Sequence, residues 1–219
     1  MTYSGRFVTV AALFVTSLVT ANIIAVKLVE VGGHSFDAGT VIFPVSYILG
    51  DVLTEVYGFR AARRVIWTAF FCNLVAVIAI LVAIQAPAAG FWSDQEAYET
   101  ILGYAPRILL ASFLAFLCGE FTNSIVMAKL KVRTEGRYLW VRTISSTVLG
   151  QAVDSTVFIT VAFAGTATPL ADTIFTIWAI KVGYEILATP ITYAVVNWLK
   201  RTEGIDVYDR DTRLVPVEL

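Results

Sequence analysis

Apolar residues run through this chain in six long stretches, separated by short clusters of charge, glycine and proline. At the ~19-residue scale that marks a bilayer-crossing helix, they fall at about 7–28, 38–57, 64–86, 106–128, 141–164 and 172–199. A helix needs ~20 apolar residues to cross a membrane, so each stretch is long enough. The second is the weakest, because Gly39, Pro44 and Gly50 punctuate it and Asp51 and Glu55 lie within it. Discontinuous helices occur where backbone lines a cavity instead of facing lipid, so this segment leaves room for a break. Before it, "VEVGGHSF" alternates around Gly32-Gly33 and predicts a small external β-hairpin. The pattern predicts an all-α membrane protein, with six transmembrane helices over residues 1–200 and a cytoplasmic tail over 201–219.

Composition agrees with this pattern. Of 219 residues, 58% are hydrophobic and 15% charged, and the mean hydropathy is +0.75; a soluble domain is ~45–50% apolar and ~25% charged. The first apolar run follows only Arg6 and lacks a small-residue cleavage site, so it reads as a retained span rather than a signal peptide. Charge then sets orientation. Arg6, the group Arg60/Arg63/Arg64, the cluster Lys129, Lys131, Arg133, Arg137, Arg142, and Lys200, Arg201, Arg210, Arg213 fall on one side. That is 13 of the 16 basic residues, leaving Lys27, Arg107 and Lys181, while the loop "SDQEAYET" opposite is acidic. By the positive-inside rule both termini are cytoplasmic, which requires an even number of spans.

Six spans divide into three and three, and the halves carry an internal likeness. "SYILGDVLTEV" (46–56) lies against "STVLGQAVDST" (146–156) at a constant offset of 100, repeating Ser46/Ser146, Leu49/Leu149 and Gly50/Gly150. "ANIIAVKL" (21–28) resembles "TNSIVMAKL" (122–130). Two halves at about 7–86 and 106–199 would enter the membrane in opposite directions, an arrangement found in carriers whose ligand sits at the midplane.

Asp51, Glu55, Glu120, Asp154, Lys181 and Glu185 fall inside these spans. An ion at a helix centre costs ~2.5–3.5 kcal/mol on insertion scales, so these groups must face inward, pair, or carry protons. Asp51 and Glu55 are spaced i, i+4 and share a face, as do Lys181 and Glu185. An internal Lys181–Glu185 ion pair is one bland reading; pairing of Glu55 with Arg60 or Arg63 is another. Glu120 with Asn123, and Gln151 with Asp154, are spaced i, i+3, and Asn22 and Asn73 add amides.

Other chemistries find little support. A net charge of −1 disfavours a nucleic-acid partner. Cys72 and Cys118 lie in apolar runs, and His34 is the single histidine, so no metal site or cofactor is expected. Asp51 and Asp154 on separate spans share a feature with aspartyl membrane proteases, but the surrounding signature is missing and enzyme activity is not expected.

"TANIIAVKLVEVGG" followed by "AGTVIFPVSYILGDVLTEVYGFRAARRVIW" resembles the queuosine precursor transporter family, also called the vitamin uptake transporter family. The likeness centres on residues 20–75, where the string F-P-x₂-Y-x₃-D-x₃-E-x-Y-G-x₃-A-R is long and specific. It extends through "GEFTNSIVMAKLK" and "LGQAVDSTVFI" to residue 198, about nine-tenths of the chain. The resemblance implies a six-helix bundle in the bacterial inner membrane. It also implies import of 7-deazaguanine bases, the cyano and aminomethyl precursors of a tRNA nucleoside.

Such a base presents N1–H and 2-amino donors side by side and an O6 acceptor. A carboxylate takes paired donors as a fork, an amide reads O6 or N3, and a stacked aromatic ring contributes ~1–3 kcal/mol. On that basis Asp51, Glu120 and Asp154 are the expected recognition carboxylates, Asn22, Asn123 and Gln151 the amide readers, and Phe43, Tyr47 and Trp67 the stacking candidates. Glu55, Lys181 and Glu185 are candidates for coupling or gating. The sequence leaves open proton symport against facilitated diffusion, and monomer against homodimer. A second class is a substrate-binding membrane subunit driven by partner ATPases. No Walker-type loop is present in the chain itself.

Overall fold

A computed structural model describes residues 4–25, 27–31, 34–103, 106–165 and 170–217. In chain order the elements are α1 (Gly5–Ile24), β1 (Leu28–Val31), β2 (His34–Asp37), α2 (Gly39–Val52), a π-helical turn (Leu53–Tyr57), α3 (Phe59–Gln85), α4 (Gln95–Leu102), α5 (Pro106–Arg133), α6 (Leu139–Phe163) and α7 (Leu170–Glu203). The strands pair antiparallel, Leu28 opposite Asp37 and Val31 opposite His34. That is the predicted hairpin; Gly32 and Gly33 lie outside the described residues.

Among the described residues, α1, α3, α5, α6 and α7 contain segments long and apolar enough to cross a membrane. Leu13, Phe71, Val75, Val82, Leu187 and Ile191 point outward and exposed, as suits surfaces solvated by hydrocarbon. The protein is a multi-pass helical membrane protein.

The second stretch corrects one expectation. The break for which Gly39, Pro44 and Gly50 left room does not occur, because α2 passes directly into the π turn at Leu53. What changes is the hydrogen-bond register, a departure often found at functional positions. The turn ends at Gly58, whose φ of +82° suits glycine. The sequence reading also missed α4, because the acidic "SDQEAYET" reads as a loop. Gln95 at the start of α4 donates to the Ile84 carbonyl of α3 at 3.1 Å.

α2 and its π turn run through the middle of the bundle, touching α1, α3, α5 and α7, while α5 pairs with α6 and α6 with α7. Phe14, Leu18, Val52, Leu53, Val56, Phe59, Ile66 and Phe116 build the apolar core. Gly119 and Gly150 let α5 and α6 approach. A Cβ on Gly119 would sit 2.7 Å from Asp154 Cβ, and one on Gly150 would sit 2.8 Å from Asn123 Cβ.

Beyond α7 the chain turns back across one end of the bundle. The Val207 N–H bonds the Val56 carbonyl at 3.2 Å. Asp209 accepts from the Phe59 N–H at 2.8 Å, satisfying a donor at the start of α3. Arg63 and Trp67 of α3 donate to the carbonyls of Val215 and Pro216. Residues 204–217 thus form a strap fastened to the bundle rather than a loose tail.

Candidate functional site

A cavity of about 150 Å³ opens between α1, α2, α5, α6 and α7. Leu18, Phe116, Phe158 and Ile177 give it apolar walls, with Asn22, Ser112, Asp154 and Lys181 as polar points. The Ser112 hydroxyl donates to Asn22 Oδ1 at 3.2 Å and orients the amide. Lys181 Nζ lies 2.5 Å from Asp154 Oδ2 and 4.5 Å from the Phe43 ring centroid. An ion pair and a cation–π contact therefore meet on one wall. The Lys181–Glu185 pair, one reading of their spacing, is not formed among the described residues. Lys181 reaches across to α6, and its i+4 neighbour turns elsewhere.

Phe43 and Lys181 also bound a second space of about 10 Å³, shared with Tyr47, Gln151, Tyr184 and Glu185. That is roughly the room one water needs. Close to it lies a cluster of buried polar side chains: Tyr47 and Asp51 on α2, Glu120 and Asn123 on α5, Gln151 and Ser155 on α6, Glu185 on α7. Asn123 donates to Asp51 Oδ1 at 2.8 Å. Among the described residues, Tyr47 Oη, Asp51 Oδ2, Glu120 Oε1, Asn123 Oδ1, Gln151 Oε1, Ser155 Oγ and Glu185 Oε1 have no hydrogen-bond partner. Buried polar atoms are nearly always paired, so this concentration makes the cluster a second candidate site beside the cavity.

Glu55, on the π turn, is fully buried in a cage of cations. Arg142 of α6 grips its carboxylate at two points, Nη2 to Oε1 at 2.8 Å and Nε to Oε2 at 3.2 Å. Lys200 of α7 lies 2.6 Å from Oε1, and Lys131 of α5 lies 3.8 Å from it while donating to the Glu55 carbonyl. Lys131 and Lys200 are shared with Asp206 of the strap, at 2.5 and 2.9 Å. Partial burial alone raises the Asp206 carboxyl. The hydrogen bonds and charges of the two ammonium groups outweigh it and hold the group below the usual carboxylate range. The expected partners of Glu55, Arg60 and Arg63, are not in this cage.

The structure thus sorts the sequence candidates by place. Asn22, Phe43 and Asp154, with Lys181, line the main cavity. Tyr47, Gln151 and Glu185 line the small adjoining space. Asp51, Glu120 and Asn123 line neither space and belong to the cluster. Trp67 stands apart, donating to the strap at Pro216 and packed on Phe70 and Phe121. Sequence reasoning missed Ser112, and it missed Lys131 and Arg142 as buried partners of Glu55. Those two read as cytoplasmic surface charge. The one signal for them was a buried acid that needed a cation.

Comparison with known proteins adds independent findings. A family model described as "Putative vitamin uptake transporter" matches residues 37–195. A protein of Bacillus subtilis (strain 168) named "Probable queuosine precursor transporter" is 30% identical over 188 residues, covering 84% of this chain and 82% of that protein. One of the same name from Haemophilus influenzae is 29% identical over 67% of this chain and 62% of its own length. The "Queuosine precursor transporter" of Escherichia coli (strain K12) is 26% identical over 69% of this chain and 66% of its own length. No solved structure matches the chain.

Proposed function

Since the chain belongs to the vitamin uptake transporter family, we propose that it imports 7-deazaguanine precursors of queuosine, the 7-cyano and 7-aminomethyl bases, across the bacterial inner membrane. The family is one of transporters and not of enzymes. The chain crosses the membrane six times, α2 with its π turn being the second crossing, and both termini lie in the cytoplasm. The halves are inverted copies. Gly50 of α2 lies against Phe14 of α1, and Gly150 of α6 lies against Asn123 of α5, equivalent contacts that support that pairing.

The observation that carries the reading is the cavity wall where Asp154, Lys181 and Phe43 meet within reach of Asn22. Its volume is below the ~300–1,000 Å³ of sites for drug-sized ligands, which suits a small flat bicycle. The base lies on the Phe43 ring and its paired N–H donors meet Asp154 as a fork. Lys181, displaced from the carboxylate, donates to O6, and Asn22 reads a remaining edge. Tyr47 and Gln151 flank the site from the smaller space.

The test is binding and uptake of labelled 7-cyano-7-deazaguanine by the purified protein in liposomes, with guanine as competitor. Asp154→Ala and Asn22→Ala should lose binding while eluting as folded, monodisperse protein. Wild-type affinity in both would overturn the assignment. Transport by the isolated protein also separates this reading from a subunit of an ATP-driven system, which the names of the relatives do not favour.

A further inference from the structure

Among the described residues, five acids are buried within the helices: Asp51, Glu55, Glu120, Asp154 and Glu185. They fall into two kinds. Glu55 is held by Arg142, Lys131 and Lys200, and Asp154 by Lys181. No cation pairs with Asp51, Glu120 or Glu185 among the described residues. Glu120 is 1% exposed and faces Asp154 of α6 and Glu185 of α7, with the α2 backbone at Gly50 closing its third side. Asp51, equally buried, faces the carboxylates of Glu185, Glu120 and Glu55 and receives one amide, from Asn123. The Tyr47 phenol, 2% exposed and without a partner among the described residues, is surrounded by Asp154, Glu120, Glu185 and Asp51.

Two physical facts bear on this group. Each ion buried without a partner costs several kcal/mol even after relaxation, and here three carboxylates also repel one another. The unpartnered atoms are, moreover, mostly acceptors. The oxygens of Asp51, Glu120, Asn123, Gln151 and Glu185 outnumber the hydroxyls of Tyr47 and Ser155 that can donate to them. A site short of donors and loaded with like charge is completed by a proton. Protonation turns a carboxylate acceptor into an O–H donor and removes one charge.

We propose that Asp51, Glu120 and Glu185, with Tyr47 and Gln151 around them, form a proton-binding site separate from the base cavity, whose occupancy is coupled to the base. The coupling rests on the base-importing reading above and runs through Asp154. A neutral base that takes Asp154 must part it from Lys181. The carboxylate then faces Glu120 without its close counter-ion, and a proton on Glu120 removes that repulsion. By reciprocity the proton favours the base as much as the base favours the proton. Proton and base therefore travel in the same direction. The step is an association, carboxylate plus proton to carboxylic acid, reversed on the other side of the membrane.

The experiment uses the full chain in liposomes with labelled 7-cyano-7-deazaguanine. Wild type should concentrate the base inside when the outside is acid, and only equilibrate it without a gradient. Glu120→Gln, which keeps the side chain's size, should exchange base for base but lose the gradient-driven accumulation. Equal accumulation by wild type with and without the gradient, alongside intact exchange, would overturn the coupling. A second readout does not depend on the base. The infrared carbonyl stretch of a protonated carboxyl group should titrate with pH in the wild-type protein and lose amplitude in Glu120→Gln, or in Asp51→Asn should the first variant not fold. An unchanged band in both variants would remove the proton site. If wild type neither binds nor exchanges the base, the base-importing reading fails, and the infrared result still decides the site.

Discussion

Glu55 and Arg142, 87 residues apart in sequence, meet inside the protein in a two-point contact of 2.8 and 3.2 Å, with the arginine 1% exposed and the glutamate not at all. The contact ties the π turn to the first turn of α6. The carboxylate is further held by Lys200 and Lys131, so three helices converge on one residue of a fourth segment. A planar guanidinium fits a carboxylate fork as a lysine cannot. Glu55→Ala leaves the buried Arg142 guanidinium without its carboxylate, which costs ~3–5 kcal/mol, whereas Arg142→Ala leaves Glu55 to Lys200 and Lys131. The first should lower the thermal midpoint in detergent strongly, the second less. The double variant should be less destabilised than the sum of the two; additive losses would mean that the pair is not energetically coupled.

Acidification should release the strap. The proton of Asp206 is bound less readily in the folded protein than in the unfolded chain, because Lys131 and Lys200 favour the carboxylate. Its contribution is therefore complete above the unfolded value of ~3.9 and is lost as pH falls through the lower folded value. Protease cleavage within residues 204–217 should accelerate in that acid window. Asp206→Asn should cleave faster already at neutral pH, and an unchanged rate there would show that the strap is held by its other contacts.

Small additions at the helix contacts should separate stability from transport. Gly119→Ala and Gly150→Ala drive a methyl group into Asp154 Cβ and Asn123 Cβ and close to facing carbonyls at 3.2 and 3.1 Å. Backbone cannot swing aside, so overpacking of ~1–3 kcal/mol is expected in thermal unfolding. Gly50→Ala meets the tip of Glu120 at its Oε1. That carboxyl group can move, so Gly50→Ala should cost less stability than either and disturb the pH dependence of uptake more.

Trp67→Phe removes the indole donor to Pro216 while keeping a ring against Phe70 and Phe121. A net hydrogen bond is worth ~0.5–1.5 kcal/mol, so hydrogen exchange in the last strap residues should quicken severalfold. Base affinity should stay at the wild-type level; a fall would put Trp67 at the base.

Hydropathy was enough to find α1, α3, α5, α6 and α7, because each must present apolar side chains to lipid along its whole length. The hairpin was legible from alternation around two glycines. The reading of α2 went astray over glycine. Gly50 signals a close approach by Glu120 and not an interruption, and nothing in one sequence separates those uses. Helical spacing placed Lys181 and Glu185 on one face, yet the ion pair forms with Asp154, 27 residues earlier on the neighbouring helix. Spacing reports which side chains are neighbours along a helix, not which helices are neighbours of each other. The strap was invisible for the same reason. Its polar sequence reads as solvated, and its partners lie 149 to 152 residues away.

The strap has a consequence for how the protein is made. Residues 204–217 follow every described helix, so they leave the ribosome only after α7. Until they emerge, Lys131 and Lys200 lack Asp206, and the first turn of α3 lacks Asp209. Insertion of the helices and sealing of their shared end are therefore separate events in biogenesis, and a released chain truncated after residue 203 would sit in the bilayer with that end unlatched.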